Sequence, residues 1–453
     1  MCWAGNVTNR DRSSRPGGGN CRAGLKFWPY GFSYTPPMPA SVPEDCPRKP
    51  MLRFIVLLAL AAMLAMHGWE FFRLRQEVGQ GYPDFTAFYS AGKCVVSGRG
   101  TEVYTAAGEA RFQQEFAAQV KIRQSPLPFT HPPFEAALFA PLALLPYQAA
   151  YWIWNGLSVL ALLGLVALLR PYVPNLSRWS RALPIVAALA FFPVFVCLVQ
   201  GQDSLVLLLL FGCAFVAMDK GNDFAAGVLL GMALFRFQLV LPLIMVVVLR
   251  RRWKVVGGFA VAAVALAAVS IPVVGWTQVL GYPQELLRVS HSQGSAAMNP
   301  KDMPNLRGLL VSFLGENSLS QWLTALLSLA LLAFAAWKWQ AEPSQPEFRL
   351  GFGLAVTVAV MVSYHLMGHD LSLLLLPLML AADWLCTDEA VGTARRLLIP
   401  AIGLLFFSPL YFLLWFRYQR ASAMFWVVAL LALGLTVAEK RAGTGQAHAV
   451  REA

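Results

Sequence analysis

The constraint that most limits this chain is a succession of apolar runs, each near the length that crosses a bilayer and separated by short polar punctuation. They can be drawn at 52–69, 134–146, 148–170, 182–199, 203–218, 224–249, 255–274, 319–337, 349–364, 371–386, 397–416 and 421–437. A spanning helix needs about 20 apolar residues, with a range of roughly 17–25. Over the 453 residues, 57% are hydrophobic and only 13% charged, about half the charge of an ordinary soluble domain. A soluble fold has nowhere to hide that much apolar surface. The expected class is therefore an all-α integral membrane protein, a polytopic bundle of about 10–13 transmembrane helices. The 134–146 run is short and bounded by Pro132-Pro133 and Pro146, which suits a half-span or re-entrant helix. The 224–249 run is long and carries Arg236 and Gln238 in its middle, which suits two shorter pieces.

The net charge of +12 does not mark a nucleic-acid partner. The basic residues stand at the ends of apolar runs, Arg250-Arg-Arg-Trp-Lys254 most clearly, where they orient helices in a bilayer. The expected surroundings are a lipid bilayer. With twelve spans and a cytoplasmic N-terminus, Arg250–Lys254, Lys338 with Arg349, Arg395-Arg396 and Lys440-Arg441 face the cytoplasm. Arg170, Arg178 and Arg181, and the turn Arg417–Arg420, run against the rule. This arrangement puts the 70–133 loop, the 275–318 loop and the Tyr364–Asp370 turn on one extracytoplasmic side. Both long loops read as folded: residues 101–124 as a polar helix along the membrane, and the second loop with Trp276 and Tyr282 at interface depth. Residues 1–50, with eight prolines and six glycines, read as a disordered extension, and Met51-Leu-Arg-Phe-Ile looks like a natural start. The membrane domain is then 51–440, followed by a cytoplasmic tail at 441–453.

The familiar loops of nucleotide chemistry are missing: there is no Walker A sequence and no GxGxxG. HExxH and GxSxG are absent, and the seven cysteines form no CxxC pair. Chemistry must rest on sparse polar residues. Asp84, within Gly81-Tyr-Pro-Asp-Phe-Thr-Ala-Phe-Tyr89, stands just past the first span among aromatic and small neighbours. A carboxylate there suits general-base work on a hydroxyl; it equally suits an N-cap to the helix that follows. The other candidates are His131, Arg236, Gln238, His365, His369 and Asp370, with Tyr89 beside Asp84, because ionisable groups at membrane depth are costly to keep. His365 and His369 would share one helical face, and with Asp370 could take a metal, a phosphate, or merely cap a helix. Arg236 needs an anionic partner, either a phosphate or a neighbouring carboxylate. No metal is assigned, a divalent ion being unsupported by any motif.

The ordered set Pro83-Asp-Phe-Thr-Ala-Phe-Tyr-Ser-Ala-Gly92, Ser97-Gly98, Val103-Tyr104, Phe129-Thr-His-Pro-Pro-Phe134, Ala140–Pro146, Gln200-Gly-Gln-Asp-Ser204, Ala226–Leu234 and His369-Asp370 resembles glycosyltransferase family 87. The similarity runs from about residue 52 to 440. The resemblance implies a GT-C type fold and an acidic residue near the start of the first extracytoplasmic loop acting as general base, which Asp84 matches. It also implies a polyprenyl-phosphate sugar as donor, mannose foremost, an inverting transfer, and a glycolipid or glycan hydroxyl as acceptor. Arg236-Phe-Gln238 stands where family members more often show a Lys-Pro-Gln-like set, and Asp203 where Asn is more usual. The rival readings are a transporter or flippase of lipid-linked sugars, and a scaffold without catalysis. No internal repeat supports the first.

Overall fold

Twenty consecutive apolar residues have no polar face to turn toward water, and in lipid each backbone N–H and C=O must be satisfied within its own segment. Helices meet both demands, and no strand occurs among the described residues. The computed structural model describes residues 50–117, 126–290, 299–387, 390 and 392–452; the 1–49 extension and the expected helix beyond residue 117 lie outside them.

In chain order, α1 (Pro50–Arg73) is followed by α2 (Phe85–Val96), α3 (Ala106–Ala117), α4 (Pro133–Phe139) and α5 (Tyr147–Leu169). Next come α6 (Leu183–Ala190), α7 (Phe192–Gln200), α8 (Ser204–Asp219), α9 (Asp223–Met232), α10 (Phe237–Leu249) and α11 (Trp253–Val274). The second long loop holds α12 (Trp276–Ser290) and α13 (Leu306–Leu314). The chain closes with α14 (Ser318–Lys338), α15 (Pro346–Val362), α16 (Leu375–Trp384), α17 (Thr393–Phe406), α18 (Ser408–Phe412) and α19 (Met424–Glu452).

Among the described residues six helices are long and apolar enough to cross a membrane, and two bent pairs, α6 with α7 at 63° and α17 with the segment from Ser408 at 67°, bring the number up to eight if each pair is one span. This is an all-α polytopic membrane protein. The remaining apolar runs form shorter helices that the bundle encloses. In α15 nearly every residue from Glu347 to Val362 is buried, and α8 and α16 are buried almost as fully. A helix that is apolar all round belongs in such a position, while α1, α11 and α14 keep most of their surface outward.

The 134–146 run does not span. It forms α4 and a single 3₁₀ turn at Leu142–Leu144, tucked under α2 so closely that a Cβ at Gly92 would sit 2.7 Å from Phe139 O. The 224–249 run is two pieces, as expected, with a 3₁₀ turn at Ala233–Arg236 between α9 and α10. Arg236 leaves helical geometry there (φ −116°, ψ 54°), and its buried side chain points into the bundle.

The first loop has a core of its own. Phe85, Phe88, Tyr89, Phe129, Phe139, Tyr147 and Tyr151 form an aromatic cluster separate from the main bundle core. Side chains of α3 complete it by holding the returning segment. Gln113 donates to Leu127 O and accepts from Leu127 N, both at 2.8 Å, and Glu109 Oε1 accepts from Phe129 N at 3.0 Å. Tyr282 of the second loop donates to Thr130 O at 2.9 Å, joining the two loops, while Trp276 is exposed.

Candidate active site

The turn Gln200-Gly-Gln-Asp-Ser204 gathers the site. Gly201 closes α7 in the left-handed region (φ 60°), and a Cβ there would stand 2.7 Å from Phe85 Cβ. Only glycine fits both the backbone and the space. The four side chains around it then reach three partners. Gln200 Oε1 accepts from Asp84 N at 3.0 Å, and Gln202 Nε2 donates to Asp84 Oδ2 at 2.7 Å. Asp203 Oδ1 accepts from Arg236 Nε at 2.6 Å, and Ser204 Oγ donates to Asp370 Oδ1 at 3.2 Å.

Asp84 occupies the N-cap position of α2 yet makes no capping hydrogen bond with its side chain. Its carboxylate turns to Gln202 instead, and Oδ1 has no hydrogen-bond partner among the described residues. Gln202 is itself oriented, because its carbonyl oxygen accepts from Arg236 Nη2. An amide whose oxygen faces a guanidinium has its NH₂ end committed to the carboxylate. Arg236 thus finds carboxylates within the protein: Asp203, and Asp370 with Nη1 to Oδ1 at 3.5 Å. Asp370 also accepts from Met367 N at 2.9 Å, and His369 Nε2 lies 3.5 Å from its Oδ1.

Asp84, His131, Gln202, Arg236, His365 and His369 line one cavity of about 270 Å³. Three of the expected histidines and the expected carboxylate are therefore neighbours, although they come from three distant segments. Burial holds His131 and His365 far below the usual imidazole range, at about 4, with the Arg236 guanidinium adding to the effect on His131. His369 is lowered too, again chiefly by burial. His131 and His365 are thereby neutral near pH 7.

Two expected residues stand elsewhere. Tyr89 packs edge-on against Phe116 and Tyr147, and its hydroxyl donates to Leu145 O at 2.7 Å. Gln238 lines a second, mainly apolar cavity of about 450 Å³ that shares Thr130 and His365 with the first. Arg307 stands in that second cavity, 4.2 Å over the Tyr364 ring and 3.0 Å from Glu316. His365, His369 and Asp370 do not converge as metal ligands. Among the described residues the set that does is His131, Glu135 and Asp203.

Sequence reasoning passed over Gln200, Gln202, Glu135 and Arg307 as site residues. A polar run around a glycine between two apolar runs was the available signal for the glutamines. Glu135 lies four residues past His131, in the first turn of the proline-started helix that His131 precedes. Arg307 carried no local signal, since a basic residue after a loop is the common condition of membrane proteins.

A sequence model of glycosyltransferase family 87 matches residues 129–363, narrower than the span over which the motifs resemble it. A relative from Mycolicibacterium smegmatis is a polyprenol-phosphate-mannose-dependent alpha-(1-2)-phosphatidylinositol pentamannoside mannosyltransferase. It is 33% identical over 165 residues, which is 36% of this chain. The chain thus matches only 39% of that relative's length. The family match covers more than half of the chain and contains His131, the Gln200–Ser204 turn, Arg236 and Arg307. This protein is a member of glycosyltransferase family 87.

Proposed function

We propose that the protein transfers a hexose, mannose foremost, from a polyprenyl-phosphate donor to a hydroxyl of a glycolipid or glycan acceptor on the extracytoplasmic side of the inner membrane. The observation that carries the reading is the junction of two cavities, a polar one containing Asp84 and an apolar one with Arg307, which meet at Thr130 and His365. A lipid phosphate sugar has that same division: a hydrocarbon chain, an anionic phosphate and a polar sugar. The relative's own donor is of this class by name.

In this mechanism the acceptor hydroxyl hydrogen-bonds to Asp84 Oδ1, the oxygen that Gln202 leaves unengaged. As the acceptor oxygen forms its bond to the sugar C1, its proton passes to Asp84 and the C1–O bond to phosphate breaks. The electron pair leaves with the polyprenyl phosphate, and attack opposite the leaving group inverts the anomeric centre. The phosphate is a weak enough base to depart unprotonated, so the protein's task is to stabilise its negative charge. Arg236 is already paired with Asp203 and Asp370, so it orients Gln202. Arg307, less deeply enclosed and beside His365, is the cation assigned to the phosphate, with neutral His365 as a hydrogen-bond donor.

The test is transfer from radiolabelled polyprenyl-phosphate mannose to membrane lipid by the purified protein in liposomes. A labelled glycoside should form with wild type, and Asp84→Asn should abolish it while donor binding persists. Turnover retained in Asp84→Asn would exclude the general-base role. Movement of intact donor across the bilayer without any new glycoside would select a flippase instead.

A further inference from the structure

Behind the wall of the polar cavity one polar atom from each of three side chains converges on a common point. His131 stands in the loop before α4, Glu135 in the first turn of α4, and Asp203 in the turn between α7 and α8. His131 Nδ1 lies 2.8 Å from Glu135 Oε2 and 3.6 Å from Asp203 Oδ2, and the three atoms all fall within 4.8 Å of one another. Glu135 is 1% exposed and Asp203 2%. None of the three atoms makes a hydrogen bond of good geometry, although a proton shared between Glu135 and Asp203 would satisfy two of them. Buried side-chain polar atoms are satisfied in the large majority of cases, so three orphans converging on one point mark a place where something binds.

The charge balance points the same way. Glu135, Asp203 and Asp370 are three enclosed carboxyl groups, and Arg236 is the cation among them. Its Nε is engaged with Asp203 Oδ1, which leaves Oδ2 turned toward His131. With these carboxyl groups ionised, one guanidinium leaves negative charge unmet, which a divalent ion would offset. Enclosed charges are retained only when paired or bound to a metal.

We propose that His131 Nδ1, Glu135 Oε2 and Asp203 Oδ2 form a site for a divalent transition-metal cation. Metal–ligand bonds of about 2.0–2.2 Å place neighbouring tetrahedral ligands about 3.3–3.6 Å apart. The 3.6 Å separation is already of that size, and the 2.8 Å one reaches it with a movement of at least about half an ångström at Glu135. One imidazole and two carboxylates suit zinc or manganese; calcium and magnesium prefer oxygen alone. Three protein ligands leave at least one position for water or a substrate oxygen. His131 also lines the cavity that contains Asp84, so the ion would fix the ring that shapes that wall. The assignment rests on ligand geometry and is independent of the sugar-transfer reading.

The experiment uses tag-free full-length protein in detergent, stripped with a chelator, then titrated with Zn²⁺ and separately with Mn²⁺ by calorimetry. One saturable site per chain is expected, with a rise in unfolding temperature on loading. Glu135→Gln keeps the side-chain shape and should weaken binding at least 100-fold; His131→Asn should do the same. Each variant is first checked for a monodisperse elution profile, and the wild-type titration stands without them. Absence of a saturable site for either ion in wild type would overturn the proposal. Binding unchanged in both well-folded variants would overturn it equally.

Discussion

Gln202 bridges two charges, donating to Asp84 and accepting from Arg236, so the position of the proposed base depends on a residue that does no chemistry itself. Gln202→Leu should lower kcat by about 10²-fold with donor KM little changed, since a displacement of about 1 Å at a reacting group costs on that order. Steady-state kinetics separate the two parameters, and an equal loss through KM alone would contradict a positioning role. Arg236→Met leaves Asp203 and Asp370 buried without their cation, and breaking such a pair costs about 3–5 kcal/mol. A thermal unfolding scan should show a large loss, partly recovered in the double variant Arg236→Met/Asp203→Asn. Glu109, outside the spans, adds a pH signature. Burial lifts it from 4.5 to about 7 although it accepts a hydrogen bond from Phe129 N. The folded state therefore retains a proton that the unfolded chain releases, and its contribution to stability is full below about pH 4.5 and lost as pH rises through 7. Glu109→Gln keeps the acceptor without the charge, so its unfolding temperature should gain on wild type between pH 5 and 8. Parallel curves would refute this.

At the scale of elements, glycine decides how closely helices approach. α9 and α11 pack backbone to backbone: a Cβ at Gly227 would lie 2.0 Å from Val255 O, and one at Gly258 would lie 2.1 Å from Phe224 O. Membrane helices associate through such small-residue contacts because lipid provides no hydrophobic drive between them. Adjacent Gly257 has nothing within 4 Å. Gly258→Ala should therefore destabilise by about 1–3 kcal/mol, the usual cost of overpacking. Gly257→Ala should be neutral or stabilising by up to about 1 kcal/mol through helix propensity. Thermal melts of the two variants make the comparison, and equal effects would deny the close approach. The helices themselves were legible as apolar runs, and the break at Arg236 was legible because a guanidinium cannot sit comfortably amid apolar residues. The short α4 was harder to read. Its apolar residues serve the first loop's aromatic core rather than lipid, and hydropathy does not distinguish the two.

For the whole molecule, the proposed topology sets the two long loops on the side opposite Arg250–Lys254. The proposed extracytoplasmic placement predicts labelling. In a background without native cysteines, Gln114→Cys on exposed α3 should react with an impermeant maleimide in intact spheroplasts. Glu342→Cys, exposed beside Arg252, should react only after permeabilisation. The reverse pattern would invert the topology.

The sequence by itself determined the class of protein, the family, and the residues worth suspecting, because each follows from local composition or the order of short motifs. Asp84, His131, His365 and His369 were each visible as polar groups near apolar runs. Which of them touch was decided by tertiary structure alone. Asp84 meets Gln202 across 118 positions, and Ser204 meets Asp370 across 166. Arg236 was open to a phosphate or a carboxylate, and only folding brought Asp203 and Asp370 within reach of it. Periodicity reports which face of a helix is apolar; it does not report what stands opposite, and charge compensation at a buried site is set by what stands opposite.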